Sequence, residues 1–479
     1  MVTDRPFGVT FTKDHTMNGV LKVYLPTRTV LLAVSEASLI FVAMVAATFV
    51  GLGSRAGVIL EYGNGIFKIA LASSVCLLCM YYFDLYDSSI LTNSREVFSR
   101  LVQVLGAVCL ILAFLYRVYP AIGLDIRVFL GGIFLVGLLL VGWRGLFFAL
   151  SRLPGLAERA VLLGESPLTT SLAAEIKRHP ELGVRVVGYL GNTHTSCGAF
   201  NGLPCLGGLE DLAGVVAPRQ LRRVIVTMID RRGKLPIEPL LRLKTRGVQV
   251  QDGADVYEAV TGKVPIDSIH PSWLLFSPGF RVSPWMLLYK RFFSLLLSLV
   301  ALVLCLPLMG LIALAIWLDS GSPVIFCQTR IGQNGSPFTL YKFRSMRNGA
   351  DPDGNPKPAQ WNDARCTRVG RLLRHTRLDE LPQLYNILRG DMYFVGPRPF
   401  VPREEEEYVR KIPFYSQRWS VRPGATGWAQ VQRKYCESVE DNAEKLAYDL
   451  FYIKHMSVGL DAFIIFKTIK ILLLGRGGQ

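Results

Sequence analysis

The stretch Arg374–Pro399 reads RHTRLDELPQLYNILRGDMYFVGPRP and decides the predicted fold of the last third of the chain. Proline is tolerated only in the first turn of a helix, so Pro382 predicts a helix that begins near Leu378 or Asp379. Gly390, after a basic last turn, predicts its end. One buried face is predicted at helical spacing, formed by Leu381, Leu384, Tyr385 and Leu388.

Two adjacent carboxylates, Asp379 and Glu380, stand at the start of this predicted helix. The free N–H groups and the dipole of a helix N-terminus hold carboxylates ionised, and the same end attracts phosphate. Asp is also a common N-cap residue, so these two residues alone leave an ordinary capping role open. The flanking segments are needed to distinguish a catalytic role of these two residues from a capping role.

The composition indicates a membrane protein. Hydrophobic residues make up 51% of the 479 residues and charged residues 19%, and the formal net charge is +16. A basic chain with this much apolar sequence meets anionic lipid more often than nucleic acid. The sequence has neither zinc-finger spacing nor a long run of Lys and Arg, so we expect no nucleic-acid partner.

Four apolar segments, near residues 29–52, 66–83, 97–119 and 127–150, are each close to the ~20 residues that span a bilayer. They predict a membrane α-helical anchor of four spans at 29–150 after an N-terminal arm at 1–28. An even number of spans leaves both flanks on one side, and their basic residues predict that this side is cytoplasmic. No Asp, Glu or His lies mid-span, which favours an anchor over a transporter.

Residues 158–269 predict a Rossmann-like α/β middle domain. The strands are predicted at 160–164, 184–190, 222–228 and 247–252, and the helices between them near 166–179, 207–217 and 236–246. A dinucleotide site would need GxGxxG after the first strand, but the sequence there is Gly164-Glu165-Ser166-Pro167, and no Tyr-x-x-x-Lys pair follows. We therefore interpret this domain as a degenerate, structural or regulatory form of the fold, with a working nucleotide site as the alternative.

A fifth apolar segment, at 290–318, contains Pro307 near its middle. Proline removes a helix hydrogen bond and bends the axis, so one possibility is a helix that breaks near Pro307 and leaves on the side it entered. The alternative is a kinked transmembrane helix. Apolarity alone favours the crossing helix, and the choice depends on the sequence after residue 318.

Dense polar motifs come after the fifth segment. LYKFRSM at 340–346 alternates apolar and basic residues, so one face of this strand is cationic. The other motifs are PVIFCQTRIG at 323–332, FVGPRPF at 394–400, VRPGATGWAQV at 421–431 and KLAYDLFYIKHMS at 445–457.

These motifs, in this order, resemble the bacterial sugar transferases known as monotopic phosphoglycosyl transferases, over residues 284–479. The four spans and middle domain resemble the large form of the family, as in the undecaprenyl-phosphate glucose phosphotransferases, and the C-terminal end resembles an exopolysaccharide-associated subgroup. The resemblance implies transfer of a hexose-1-phosphate from a UDP-sugar to polyprenyl (undecaprenyl) phosphate, with release of UMP. It also implies a re-entrant helix at 290–318 and a monotopic α/β catalytic domain on the cytoplasmic face of the bacterial inner membrane.

The resemblance also implies roles for individual residues. Asp379 would attack the UDP-sugar and form an aspartyl phospho-sugar intermediate, and Glu380 would hold a metal or position the acceptor. Mg²⁺ is expected near both carboxylates. The residues expected to bind substrate phosphate are Arg374 and Arg398, with Lys342, Arg330 and Arg422 as weaker candidates. Many members have a small residue where this chain has Arg377, which is a departure from the family pattern.

Two rival functions share parts of this pattern. A membrane-bound nucleotide-sugar oxidoreductase or dehydratase can have the spans and the Rossmann-like domain, but the missing glycines disfavour it. A non-catalytic polysaccharide export assembly protein is disfavoured by the carboxylate pair with its arginines. As partners we expect UDP-sugar, polyprenyl phosphate and the membrane, and also a second copy of the chain and downstream glycosyltransferases.

Overall fold

The computed structural model describes residues 27–86, 94–151, 158–179, 182–191, 200, 202–216, 221–268, 271–277, 279–280, 283–350, 363–432 and 438–473. The chain forms two compact units, Met1–Val260 and Thr261–Gln479. The N-terminal arm predicted at 1–28 lies almost wholly outside the described residues. Helices and strands are numbered below in chain order.

The first unit begins with a bundle of apolar helices. These are α1 (Thr27–Leu52), α2 (Ala56–Tyr62), α3 (Gly65–Tyr82), α4 (Ser94–Val118) and α5 (Ile126–Ser151). Buried side chains of α1, α3, α4 and α5 form one apolar cluster. Within the described part of the chain, five segments are long and apolar enough to cross a membrane, four of them in this bundle and the fifth at Pro284–Ser320. The chain therefore has the helices of a membrane protein, while the number of spans stays a prediction.

A buried ion pair joins the first and last helices of the bundle. Nε of Arg144 in α5 lies 2.7 Å from Oε1 of Glu36 in α1, and both side chains are almost inaccessible to solvent. Arg144 also donates to the carbonyl of Leu85 at 3.0 Å. A charge in an apolar bundle is costly unless it is paired, so each of these two residues requires the other. Sequence reasoning overlooked Glu36, which lies inside the first predicted span.

The rest of the first unit is built on a five-stranded parallel sheet. Its strands are β1 (Glu158–Leu163), β2 (Val184–Gly191), β3 (Cys205–Gly208), β4 (Arg223–Val226) and β5 (Gln249–Asp252), in the order β3-β2-β1-β4-β5. The helices are α6 (Pro167–Arg178), α7 (Leu212–Val216), α8 (Ile237–Thr245) and α9 (Gly253–Thr261). The predicted parallel Rossmann-like sheet is confirmed, and the short strand β3 and helix α9 were missed.

The strand order reverses between β1 and β4, where ligands usually bind in such sheets. Here several of the protein's own side chains contact one another. The Thr169 and Thr227 hydroxyls lie 2.8 Å apart, and the Ser166 hydroxyl donates to the carbonyl of Thr227 at 2.7 Å. A Cβ at Gly164 would lie 2.3 Å from Cγ of Met228, so Met228 occupies the space above the first turn. This packing supports the interpretation of a degenerate site.

The second unit begins with α10 (Pro271–Phe276) and a single long helix, α11 (Pro284–Ser320). The prediction of a helix broken at Pro307 differs from the structure, in which α11 continues through this proline. The proline φ angle is compatible with a helix, and only one backbone hydrogen bond has to be lost. A bend of the axis at Pro307 stays a prediction.

The same unit packs against α11 on both sides of Pro307. Ala301 and Leu302 contact a buried cluster that includes Leu384 and Ile387. Farther along, Ile312 and Ile316 are buried in a second cluster, which includes Phe343 and Leu373. Between these contacts the helix exposes apolar side chains, namely Val303, Leu304, Leu306 and Leu308.

Four short strands and six helices complete the described part of the second unit. The strands are the antiparallel pair β6 (Ile325–Ile331) and β7 (Pro337–Phe343), and the parallel pair β8 (Tyr393–Val395) and β9 (Gly424–Thr426). The helices are α12 (Arg368–Thr376), α13 (Gln383–Arg389), α14 (Pro402–Lys411), α15 (Trp428–Gln432), α16 (Val439–Lys454) and α17 (Val458–Leu473).

Candidate active site

The carboxylate pair lies on a short 3₁₀ turn, Leu378–Glu380, between α12 and α13. The chain enters this turn at Arg377, whose φ of 57° is in the left-handed region that non-glycine residues rarely adopt. The predicted helix start was therefore early, since α13 begins at Gln383, whereas the predicted end is confirmed by Gly390 at φ 100°. The buried face also differs in part from the prediction: Tyr385 is 54% exposed instead of buried, and Ile387, which was not predicted, is fully buried.

Asp379 is a buried carboxyl group, with 9% of its surface exposed. Neither the 3₁₀ turn nor α13 has a side-chain cap, so the structure does not support the capping role that the sequence left open. Burial raises the pKa of Asp379 above its ordinary value, and the charge of Glu380 adds to the rise, while Lys342 and Arg398 oppose it. A carboxylate removed from water in this way is more basic than a solvated one.

Glu380 is held by two cations. Nη2 of Arg398 lies 2.7 Å from Oε1 of Glu380, and Nζ of Lys342 lies 3.3 Å from the same oxygen. Burial alone would raise the pKa of Glu380, but the charges of Arg398 and Lys342 outweigh it and hold this pKa well below its ordinary range. Glu380 is therefore ionised at neutral pH, next to a carboxyl group whose pKa shifts in the opposite direction.

The structure brings three of the predicted phosphate-binding residues to the pair. Lys342 on β7 and Arg398 contact Glu380 directly, and the charges of Lys342, Arg398 and Arg374 all lower the pKa of Asp379. Arg374, on the last turn of α12, also donates to Sγ of Cys366 at 3.2 Å.

The other two candidates contact neither carboxylate in the contacts that the structure describes, although the charge of Arg330 lowers the pKa of Lys342. Arg330 donates to the carbonyl of Pro399 at 3.2 Å and to the side chain of Gln328 at 2.7 Å. The guanidinium of Arg422 stacks over the ring of Tyr393, 5.3 Å from its centroid. In this structure Arg330 supports the backbone of the turn Gly396–Pro399, called here the arginine turn, and Arg422 packs against β8. A phosphate-binding role for either residue stays a prediction.

The turn that carries Arg398, Gly396–Pro399, is fixed by its backbone. The amide of Gly396 donates to the carbonyl of Thr426 at 2.9 Å, and the amide of Gly424 donates to the carbonyl of Pro397 at 2.9 Å. The approach is so close that a Cβ on Gly424 would lie 2.0 Å from the nitrogen of Gly396. Two prolines add fixed φ angles, so the turn presents Arg398 from a rigid backbone.

Sequence reasoning missed two further cations. Arg377 was noted only as a departure from the family, yet its charge lowers the pKa of Glu380. Arg418 was not considered, although its side chain is 4% exposed and donates to the carbonyl of Arg398 at 2.8 Å. Arg418 stands just before the quoted motif at 421–431, and no spacing rule connects it with the arginine turn. The left-handed backbone conformation of Arg377, next to the pair, was likewise not predicted from the sequence.

The donor set at the pair suits a hard cation that also binds substrate. No group of three or more His, Cys, Asp or Glu side chains with metal-site geometry occurs among the residues that the structure describes. Mg²⁺ is commonly bound by one or two carboxylates together with substrate phosphates, and does not need a complete protein cage. Lys342 and Arg398 both donate to Oε1 of the Glu380 carboxylate. Asp379 and Glu380 therefore fit such a site as two of its ligands.

Two family models match the chain. Residues 285–475 match the model described as "Bacterial sugar transferase". Residues 81–234 match the model described as "CoA-binding domain". The first match contains the carboxylate pair and the arginine turn, and the second contains most of the parallel sheet.

Curated relatives match both parts of the chain. A UDP-glucose:undecaprenyl-phosphate glucose-1-phosphate transferase of Xanthomonas campestris pv. campestris is 31% identical over 86% of this chain and 87% of its own length. A UDP-N-acetylgalactosamine-undecaprenyl-phosphate N-acetylgalactosaminephosphotransferase of Aeromonas hydrophila is 40% identical over 50% of this chain and 56% of its own length. The "Exopolysaccharide production protein PSS" of Rhizobium leguminosarum bv. phaseoli is 41% identical over 40% of this chain and 98% of its own length. The chain belongs to the bacterial sugar transferase family.

Proposed function

We propose that this protein transfers a hexose-1-phosphate from a UDP-sugar to polyprenyl phosphate and so initiates an exopolysaccharide or O-antigen-type glycan. The observation that carries the proposal is the buried Asp379 beside an ionised Glu380, with Lys342 and Arg398 in contact. A nucleotide diphosphate and a lipid phosphate are both anionic, and arginine binds phosphate through its fixed fork of donors. Relatives whose names specify UDP-sugar and undecaprenyl phosphate support the same substrates.

In the first step, a carboxylate oxygen of Asp379 attacks the phosphorus that bears the sugar. The bond from this phosphorus to the bridging oxygen breaks, and UMP leaves with that oxygen and the electron pair. The product is an acyl-phosphate that joins Asp379 to the sugar phosphate. Burial makes the attacking carboxylate more basic, and Arg398 and Arg374 offset the repulsion between it and the anionic substrate.

In the second step, an oxygen of polyprenyl phosphate attacks the same phosphorus. The acyl-phosphate bond breaks, so the carboxylate of Asp379 is regenerated and the lipid becomes polyprenyl-diphosphate-sugar. The arginine turn serves both steps, since each passes through a phosphorus with extra negative charge on its oxygens.

We assign a bound Mg²⁺ to Asp379 and Glu380, where it would neutralise charge on the phosphates during transfer. Arg398 and Lys342 hold Glu380 in place for this role. Chelation of divalent cations with EDTA is expected to stop UMP release, and added Mg²⁺ is expected to restore it. Full activity after exhaustive chelation would remove the metal from the proposal.

We further propose that the second unit lies on the cytoplasmic face of the inner membrane, and that α11 bends at Pro307 so that it enters and leaves on that face. Contacts with this unit extend from Lys290 to Ile316 of α11, about 39 Å at 1.5 Å per residue. This is longer than the ~30 Å hydrocarbon core, so a crossing helix would place polar parts of the unit inside lipid. Cysteine labelling after Asp319 tests the orientation, and reactivity from the outer face would refute it.

The rival functions receive no support from the structure. An oxidoreductase would need the crevice between β1 and β4, where Met228 and the cluster of hydroxyls lie. A non-catalytic assembly role would not explain why four cations surround the carboxylate pair, namely Lys342, Arg374, Arg377 and Arg398. Assembly of two copies and transfer of the product to downstream glycosyltransferases remain part of the proposal.

The decisive experiment measures UMP release by the purified full-length protein with polyprenyl phosphate and a panel of UDP-sugars. Release with at least one sugar, dependent on the lipid for turnover, is expected. The sugar that gives the highest kcat/KM identifies the donor. If no member of a panel that includes UDP-glucose, UDP-galactose and their N-acetylated forms releases UMP, the proposed function is wrong.

A further inference from the structure

The turn that presents Arg398 is held by cationic side chains from three distant parts of the second unit. Nζ of Lys290 donates to the carbonyl of Val395 at 3.0 Å. Nη2 of Arg418 donates to the carbonyl of Arg398 at 2.8 Å, and Nη1 of Arg330 donates to the carbonyl of Pro399 at 3.2 Å. Of these three cations, only Arg418 bonds to the peptide of the arginine itself.

Arg418 belongs to a buried cluster of charges, called here the Arg418 cluster, which consists of Arg418, Glu405, Tyr415 and Asp449. Its Nη1 donates to Oε1 of Glu405 at 3.3 Å and to the hydroxyl of Tyr415, and its Nη2 donates to Oδ2 of Asp449 at 3.0 Å. The three charged side chains are each no more than 4% exposed. The guanidinium therefore reaches two carboxylates, a phenol and the Arg398 carbonyl at once, which a lysine ammonium with three donors cannot do.

Stability alone is a weak explanation for this cluster. The desolvation of buried charges can exceed their mutual attraction, and replacing such a set by uncharged side chains is often neutral or stabilising. The two carboxylates share one guanidinium, and burial raises the pKa of Asp449 to about 6 even beside Arg418. Because stabilisation of the fold is a weak explanation for such a cluster, we expect these charges to have a role at the site.

We propose that the Arg418 cluster positions Arg398. The cluster determines where the phosphate-binding guanidinium of Arg398 lies relative to Asp379 and Glu380. The inference rests on the proposed function, because it assigns a geometric role in the same reaction. Arg418 donates to the backbone carbonyl of Arg398, and the side chain of the same Arg398 lies 2.7 Å from Glu380. A misplacement of about 1 Å at a reacting group can cost 100-fold in rate.

The test removes the charges of the cluster together, so that no buried charge is left without a partner. The neutral variant is Arg418→Met/Glu405→Gln/Asp449→Asn, and its introduced glutamine keeps an oxygen for the Trp419 indole, which now donates to Glu405 at 2.9 Å. It is made with Arg398 present and again with Arg398→Ala. Readouts are kcat and KM for UMP release from the UDP-sugar, together with the melting temperature.

The neutral variant is expected to melt at or above the wild-type temperature and to lose about 100-fold in kcat/KM. In the Arg398→Ala background the same three substitutions should cost nothing further, because the residue that they position is gone. Arg410→Met, which removes an exposed arginine of α14, is the control and should leave both readouts unchanged.

Three outcomes would overturn the inference. An equal loss of kcat/KM in both backgrounds would show that the cluster acts independently of Arg398. Full activity of the neutral variant would show that no positioning is needed, and loss of the fold would assign the cluster to stability. Failure of the proposed function is distinguishable from all three, since it would appear as absence of UMP release by the wild-type protein.

Discussion

The carboxylate turn of the second unit and the crevice between β1 and β4 of the first unit are both places where polar side chains gather, and they differ in how those side chains are used. In the crevice, the hydroxyls of Ser166, Thr169 and Thr227 bond to one another and to nearby carbonyls. At the carboxylate turn, buried charges face one another, and Asp379 has a raised pKa. In the crevice these hydroxyls satisfy one another, whereas the turn holds a charge at a cost to stability.

The comparison shows that fold alone does not locate function. The parallel sheet provides the usual ligand position at its point of strand reversal, but there the protein's own hydroxyl groups bond to one another. The candidate active site lies on a 3₁₀ turn of three residues, in a part of the chain that has only two-stranded sheets among its described residues. Each region can be tested by a substitution that should affect activity or stability, but not both.

The largest effect is expected from Asp379→Asn. Removing the nucleophile should lower the rate of UMP release by about 1,000-fold or more. The melting temperature should not fall, because the folded state raises the pKa of Asp379 and its charge is therefore destabilising above that pKa. Kinetics and thermal melting of the same preparation check both statements. Glu407→Gln, at an exposed carboxylate of α14, is the control, and full activity of a folded Asp379→Asn protein would end the covalent mechanism.

Arg398→Ala should have the next largest effect, about 100-fold in kcat/KM, because one preorganised donor to the phosphate oxygens is lost. Glu380 also loses its closest cation, so its pKa should rise toward the ordinary range. Arg410→Ala, at an exposed arginine of α14, provides the matched loss of charge without contact to the pair. An unchanged kcat/KM for Arg398→Ala would remove the arginine turn from the site.

Lys342→Met should shift the pH dependence of kcat/KM. Asp379 must be ionised to attack, so kcat/KM falls as the pH drops through its pKa, which lies above 3.8. The charge of Lys342 lowers this pKa, and its removal should shift the acidic limb of the pH profile to higher pH. A shift to lower pH, or none, would contradict this electrostatic account. Lys411→Met, on the exposed end of α14, should leave the limb where it is.

The smallest effect is expected in the crevice. Thr227→Val removes the donor to the Leu163 carbonyl at 2.9 Å and should cost about 1 kcal/mol of stability. The rate of UMP release should be unchanged, and melting of the full-length protein should show the loss as a shift of a few degrees. Thr170→Val, where the hydrogen bond is exposed, should shift the melting temperature less. Loss of activity in Thr227→Val would indicate that the crevice takes part in function.

The sequence predicted regular features well. Alternating strands and helices located four of the five strands of the parallel sheet, and Gly390 marked the end of α13 at the correct residue. The start of α13 was misplaced because Pro382 fits a 3₁₀-to-helix junction as well as a first helical turn. Tyr385 was wrongly predicted to be buried, because tertiary packing determines which face of a helix is inside. The glycines missing after β1 predict a degenerate crevice, and this stays a prediction.

The arrangement of the arginines was harder to predict, since spacing along the chain does not determine which guanidinium faces a site. Arg330 and Arg422 belong to motifs as dense as those of Arg374 and Arg398, yet they contact the Pro399 carbonyl and the Tyr393 ring. Arg418 acts through its contact with a backbone carbonyl. Long-range contacts of this kind depend on tertiary packing, which a single sequence does not display.

The first turns of α11 join the membrane helix to the site through two consecutive cations. Lys290 donates to the carbonyl of Val395, and Arg291 donates to the carbonyls of Ile387 and Leu388 at 2.7 and 2.9 Å. One residue thus holds the strand before the arginine turn, and the next closes the helix after the carboxylate pair. If α11 lies in the membrane as proposed, a change in its tilt would alter the spacing between Asp379 and Arg398, so we expect the thickness of the bilayer to affect the rate of transfer.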